Sequence, residues 1–191
     1  MRRTSLALVA FALAFTLAPA HAARAQANAA PQKTVQQLDM EGLWEGYDGE
    51  WHHVSYELLS LAEAIPEKDY AWRPAPGVRS TSETIMHIVI GNFWLLSLTG
   101  PPMPADLKSD AEKTVNSKAD VIAWLKRSLE AVRAAHQKET PEHLAKHATV
   151  MGNNGTMDGI YLRILVHANE HLGQLIGYAR MNGVVPPWSA K

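Results

Sequence analysis

The sequence predicts an all-α protein, a four-helix bundle whose second and third helices are joined by a link long enough to cross the bundle. Three observations carry that expectation. Apolar residues recur at helical spacing in four separate stretches, no run of residues alternates as a half-buried strand does, and capping or stop residues bracket the stretches. The chain has 191 residues, 47% hydrophobic and 19% charged, which suits one domain of ordinary size or at most two small ones and argues against wholesale disorder.

The N-terminus reads as an address. Arg2 and Arg3 give a positive start, and Leu6 to Leu17 is an uncharged, mostly apolar run too short to span a bilayer. Ala20-His21-Ala22 and Ala23-Arg24-Ala25 then fit the small-x-small cleavage pattern. We therefore expect a signal peptide over 1–25, for either Sec or twin-arginine export, and a flexible tether over 26–34. The bundle is expected over 35–185 and a C-terminal tail over 186–191, with the mature protein periplasmic or secreted and free of the membrane. Cleavage takes Arg2, Arg3 and Arg24 from the 18 basic residues, leaving 15 against 19 acidic ones, a balance that argues against nucleic acid as a partner.

Tyr47, Trp51, Val54, Leu58, Leu61 and Ile65, with Trp44 one step earlier, predict a first helix from about Val35 to Ala64, fraying around Gly46 and Gly49. A connection marked by Pro66, Pro74 and Pro76 follows. Ser80-Thr81-Ser82-Glu83 matches a capping box and opens a second helix from Thr81 to Leu98, which Gly100 and Pro101 end. Residues 99–116 lack periodicity and are long enough to cross the length of a bundle. Ser117 caps a third helix with Ile122, Leu125, Leu129, Val132 and His136 as its stripe. Thr140-Pro141 starts a single short helix, and Met151 to Gly155 reads as a loop. The fourth helix runs from Met157 to Met181, stopped by Asn182-Gly183, and Pro186 and Pro187 keep the tail extended.

The absence of cysteine excludes disulfides, thiolate nucleophiles and iron–sulfur clusters, so any metal must be held by His, Asp or Glu. Nine histidines are the unusual feature. In His167-Ala168-Asn169-Glu170-His171 the two imidazoles stand about 40° apart around a helix and project from one face, where they can share a cation. That face also carries Ile160, Ile164, Gln174 and Tyr178. His87, on the apolar side of the second helix that bears Gly91, Trp94 and Leu98 and is expected to face the core, is the best third ligand. Three histidines from two helices leave open positions on an ion, as catalysis requires. The competing reading is a hydrogen-bonded polar core without metal. Glu170 and Gln174 are candidates to orient a ligand ring through its other nitrogen, Tyr178 and Trp94 to shape an apolar pocket, and Arg73 and Arg163 to take an anionic group or simply to be solvated. His143 and His147 share the i, i+4 spacing but sit on a short polar helix and read as solvated. His52 and His53 flank the first stripe and read as surface residues, and His136 favours the end of the third helix. The His-x-x-Glu-His spelling of inverted zinc peptidases needs a downstream acidic ligand, and no Asp or Glu follows His171.

Three stretches resemble the DinB-like superfamily, which includes metal-dependent hydrolases of the YfiT type. They are Ile65-Pro66-Glu67 through Trp72-Arg73-Pro74 with Pro76-Gly77; Ser80 to Ile88, with His87 at the family's first ligand position; and His167 to Gln174 followed by Arg180-Met181-Asn182-Gly183. The resemblance implies a four-helix bundle with a long crossover, often a homodimer, with a His87, His167, His171 site for one divalent transition metal: zinc, nickel, manganese or iron. It also implies a small-molecule substrate, since characterised relatives include thiol S-transferases and isomerases; an exported chain departs from the cytoplasmic habit of thiol-using relatives. The sequence thus leads to an exported protein holding one divalent ion, a metal-dependent hydrolase or transferase of unidentified substrate. The alternatives are a non-catalytic metal-binding or interaction bundle, or a metal buffer using all the mature histidines.

Overall fold

The structure is a computed structural model that describes residues 33–190. The signal peptide expected over 1–25, and the tether as far as Gln32, lie outside the described residues. Within them the chain forms seven helices and one small hairpin: α1 (Val35–Asp39), α2 (Tyr47–Ala64), α3 (Thr81–Ser97), α4 (Ala111–Thr114), α5 (Lys118–His136), α6 (Pro141–Leu144), β1 (His147–Val150), β2 (Asn153–Thr156) and α7 (Met157–Met181). No helix among the described residues is long and apolar enough to cross a membrane.

The four long helices bury their apolar stripes in one core, with Trp51, Leu58 and Leu61 of α2, Ile85, Met86 and Ile88 of α3, Leu125 of α5 and Tyr161, Ile164 and Leu172 of α7 almost wholly enclosed. Each of α2 and α3 packs mainly on α5 and α7, so the first two long helices stand diagonally. Asn92 Nδ2 donates to Ser128 Oγ about midway along α3 and α5, and Thr99 just past the end of α3 and Glu139 just past the end of α5 both meet Tyr161 Oη, so the two helices run parallel. Trp51 Nε1 near the start of α2 donates to the Leu129 carbonyl, while Lys118 at the start of α5 donates to the Glu63 and Ile65 carbonyls at the end of α2. The order is up, down, down, up. It requires the segment after α3 to climb back along the bundle, and α4 marks its arrival beside the first turns of α3: Lys113 meets Glu83 at 3.1 Å. This is the long crossover the sequence predicts.

The capping signals act as expected. Ser80 and Glu83 form a complete capping box, Ser117 accepts from the Asp120 N–H, and Thr140 accepts from the His143 N–H. The end of α7 is a Schellman turn, with Gly183 at φ 75°, its N–H on the Arg180 carbonyl and the Val184 N–H on the Ala179 carbonyl.

Three expectations need correction. The helix predicted over 35–64 is two helices, because Gly42, Trp44 and Gly46 all hold positive φ and no helix continues through them. The turn folds down so closely that a Cβ on Gly49 would lie 1.7 Å from the Gly42 carbonyl oxygen, and Trp44 is left 80% exposed instead of joining the stripe. The loop expected around Met151 is the two-residue turn of an antiparallel hairpin, with Met151 at φ 51° and Gly152 at φ 80°, the signature of a type I′ turn. His147-Ala-Thr-Val150 and Asn153-Asn-Gly-Thr156 carry too few apolar residues to show an alternating pattern. The tail is not fully extended either, since Pro187–Ser189 closes a 3₁₀ turn against α1 and α2.

Glu83 ties the crossover to the bundle. Its carboxylate accepts from the Ser80 N–H at 2.8 Å and pairs with Arg73 and Lys113, each at 3.1 Å. Burial works to raise its pKa, but the Ser80 N–H, Lys113 and Arg73 overcome that and hold it down to about 2. A depressed carboxyl stabilises the fold above the unfolded-state pKa and loses that contribution as pH falls through the folded one. Glu83→Gln is therefore expected to lower stability by roughly 1–3 kcal/mol at pH 7. In urea melts at several pH values the gap to the unsubstituted protein should close between about pH 4.5 and pH 2.

Candidate metal centre

His87 stands on the second turn of α3, and His167 and His171 on successive turns in the middle of α7. The two helices are antiparallel neighbours, and the three rings converge. Ring centroids are 5.1 Å apart for His87 and His167, and 4.7 Å apart for each of the other two pairs. One nitrogen from each lies within 4.8 Å of the other two. The rings occupy the border of the core rather than its centre: the face of α3 bearing His87, Gly91, Trp94 and Leu98 is half-buried, with Trp94 40% exposed. The expectation that this face points into the core is corrected accordingly.

Two of the rings are held from behind. His87 Nδ1 faces Glu112 Oε2 at 3.1 Å, and Arg79 Nε donates to Glu112 Oε1 at 2.8 Å. A carboxylate paired with arginine only accepts, so Nδ1 carries the hydrogen and the Nε2 lone pair of His87 points into the cluster. Behind His171 the logic runs from a backbone carbonyl. Tyr178 Oη donates to the Arg79 carbonyl at 3.2 Å and accepts from Gln174 Nε2 at 2.6 Å, so Gln174 Oε1 accepts from His171 Nδ1 at 2.9 Å. The Nε2 lone pair of His171 is thereby freed as well.

His167 is held by shape. A Cβ on Gly91 would lie 2.4 Å from its Cε1 and 2.8 Å from its Nδ1, so only glycine leaves room for the ring. His167 Nδ1 is buried without a hydrogen-bond partner, and its Nε2 lies 3.2 Å from His87 Nε2. Two nitrogens sharing one tetrahedral ion at about 2 Å stand roughly 3.3 Å apart, so this spacing already matches a shared cation. Burial, reinforced by the neighbouring His171 and His87, pulls the His167 pKa down to about 4. Burial also lowers His87, with Arg79 and His171 adding to it and Glu112 opposing. At neutral pH both rings are uncharged, the form in which imidazole binds metal. The donor set fits a divalent first-row ion with coordination positions left open.

A cavity of about 610 Å³ opens beside the cluster, with His87 and His167 in its wall. Its remaining lining is mostly apolar: Ile90, Trp94 and Leu95 from α3, Ile160 from α7, and Val150 and Met151 from the hairpin. The strand pair that the sequence pattern did not reveal is therefore one wall of the cavity.

The other expected site residues divide. Gln174 lies directly behind a ligand ring, Tyr178 lies one hydrogen bond further back rather than in the cavity, and Trp94 lines the cavity. Glu170 reaches no histidine; it turns outward to pair with Arg163 at 2.6 Å, since position 170 falls on the exposed flank of α7. Arg163 lines the cavity with its charge so engaged, and Arg73 is taken by Glu83. His143 and His147 do not share a helix, because α6 ends at Leu144 and His147 begins β1. His136 pairs with Asp48 at 2.7 Å, and His53, expected at the surface, is half-buried between Asp39 and Glu57. Glu112 escaped the sequence reading because the crossover has no periodic signal, and Arg79 because the proline-marked connection before α3 has none either. Gly91 did carry one, an isolated glycine inside a helix one turn beyond a candidate ligand.

Comparison with known proteins follows the same lines. Residues 50–175 match the DinB superfamily. No curated protein matches the chain. The fold is similar to the crystal structure of a DinB-like protein from Bacillus cereus ATCC 10987, at 20% identity and a TM-score of 0.66 over 75% of this chain and 95% of that one. It is also similar to a DinB-like protein from Bacillus subtilis, at 20% identity and a TM-score of 0.59 over 73% of this chain and 92% of that one. At such identity the likeness is one of fold.

Two substitutions test the geometry. Gly91→Ala is expected to displace the His167 ring and weaken uptake of Zn²⁺ at least tenfold, while the helix-propensity gain of about 1 kcal/mol keeps the domain folded; a metal titration beside a thermal melt checks both. Glu112→Ala, which frees the His87 ring, should weaken the same uptake by about 10- to 100-fold.

Proposed function

The chain belongs to the DinB superfamily, and from that premise we propose that it is an exported, metal-dependent enzyme acting on a small, largely apolar substrate by hydrolysis or group transfer. His87, His167 and His171 hold the divalent ion. The observation that carries this reading is the pairing of three convergent imidazoles, two of them fixed from behind, with an apolar cavity at their side. A closed structural site has no use for such a cavity, whereas a reacting centre needs room for a substrate.

When bound, the ion supplies Lewis acidity to a heteroatom of the substrate. The chain's own residues do the rest. Glu112 and Arg79 keep the His87 ring in one orientation, and Gln174 with Tyr178 does the same for His171. Ile90, Trp94, Leu95 and Ile160 bind an apolar body and exclude water from it, and Val150 and Met151 close the cavity from the hairpin side. Arg163, tied to Glu170 at the cavity wall, leaves no strongly charged group in the lining that would demand an ionic substrate tail. The order of charge, apolar run and small residues over 1–25 supports export before the enzyme acts.

Alkyl and aryl hydroxamates, which join a metal-binding head to an apolar tail, are suitable probes. Metal-loaded protein is expected to bind them in a calorimetric titration, and His171→Ala and Val150→Lys should each weaken binding at least tenfold. Removal of the ion with EDTA should leave the four long helices folded, with the cooperative thermal melt retained. Unfolding on chelation would instead mark a structural ion, and hydroxamate binding indifferent to His171→Ala would sink the assignment.

A further inference from the structure

Asp39, His53 and Glu57 form a second cluster of metal-ligating side chains, made of other residues than the triad. Asp39 ends α1, and His53 and Glu57 stand one turn apart on α2. One ligand atom from each of the three lies within 4.8 Å of the others. The ring orientation follows from the backbone: His53 Nδ1 lies 2.6 Å from the Asp39 carbonyl oxygen, which only accepts, so Nδ1 carries the hydrogen. His53 Nε2 then turns a lone pair toward the Glu57 carboxylate, 3.8 Å away. Asp39 Oδ1 is buried with no hydrogen-bond partner, 3.5 Å from Nδ1 of the same ring.

The cluster therefore brings acceptors together with too few donors. Among the described residues neither carboxylate is paired with a lysine or arginine; Lys33, the nearest lysine in sequence, engages Glu41 at 2.7 Å. Half-buried carboxylates gathered at one ring are costly unless something positive sits between them.

The geometry points to a second divalent-cation site at Asp39, His53 and Glu57, which clasps α1 onto α2. Two carboxylates with one imidazole make a harder donor set than three imidazoles and suit Mn²⁺, Fe²⁺ or Zn²⁺. The site is independent of the triad, from which it differs in every residue. Its expected role is structural: α1 has only five residues, too short to hold by itself, and a cation bridging Asp39 to α2 fixes its end.

Titration of the full chain with Mn²⁺, counting bound ion by elemental analysis after gel filtration, tests the proposal. The unsubstituted protein is expected to retain two ions per chain, and Glu57→Gln, His53→Gln and His171→Ala one each. Hydrogen exchange across Val35–Asp39 should slow at least tenfold on adding Mn²⁺, in His171→Ala as in the unsubstituted protein, but not in Glu57→Gln. Uptake unaltered by both Glu57→Gln and His53→Gln, or exchange at Val35–Asp39 indifferent to Mn²⁺, overturns it; an ion-free cluster held by a protonated His53 would give that result. If one ion binds, survives His171→Ala and is lost in Glu57→Gln, this site stands and the proposed triad falls.

Discussion

Arg79 is the constraint on which the arrangement of the triad depends. Its guanidinium pins Glu112 behind His87, and its backbone carbonyl ends the relay that runs from His171 through Gln174 and Tyr178. One residue, one position before the Ser80 cap of α3, thus decides which nitrogen of two ligand rings is free. Without a fixed tautomer a histidine offers its lone pair in either direction, and convergence of rings would not ensure convergence of donors. The third ring, His167, has no polar support and depends on the vacancy left by Gly91. Two of the rings are held by hydrogen bonds and one by packing.

The chain order of the bundle follows the needs of that arrangement. Antiparallel packing of α3 on α7 sets the second turn of one against the middle of the other. Glu112, however, comes from neither helix. It reaches His87 because the chain leaves the far end of α3 and returns along the bundle before α5 begins, and the contacts of Lys113 with Glu83 and of Arg79 with Glu112 hold that return in place. A simple up-down-up-down bundle with a short turn after α3 would leave His87 without its carboxylate. The crossover is therefore part of the site as well as of the topology.

Much of this was legible in the residues. The stripes of Leu125, Leu129 and Val132 and of Ile160 and Ile164 announce helices, Ser80 and Ser117 announce where two of them start, and the spacing of His167 and His171 announces a shared face. What escaped did so for physical reasons. The break before Tyr47 depends on left-handed backbone at Gly42, Trp44 and Gly46, and a stripe continuing through Trp44 conceals it. The hairpin has too few apolar residues to alternate, and it is the packing of Ala148 and Val150 against the core that supports its pairing. Glu112 lies 25 residues from the ring it supports, and no local pattern relates such positions. Glu170 was misplaced by proximity in sequence, since a residue between two ligands on a helix need not share their face.

The hairpin invites a different kind of conclusion. Val150 and Met151 border the cavity from a segment that contributes no ligand and little to the helical core, joined to the bundle at its two ends by α6 and α7. One side of the cavity is thus supplied by a ribbon separate from the helices that carry the three imidazoles. Lengthening, shortening or recolouring that ribbon, residues 147–156, would alter the depth and character of the chamber while the cluster of imidazoles stays as it is.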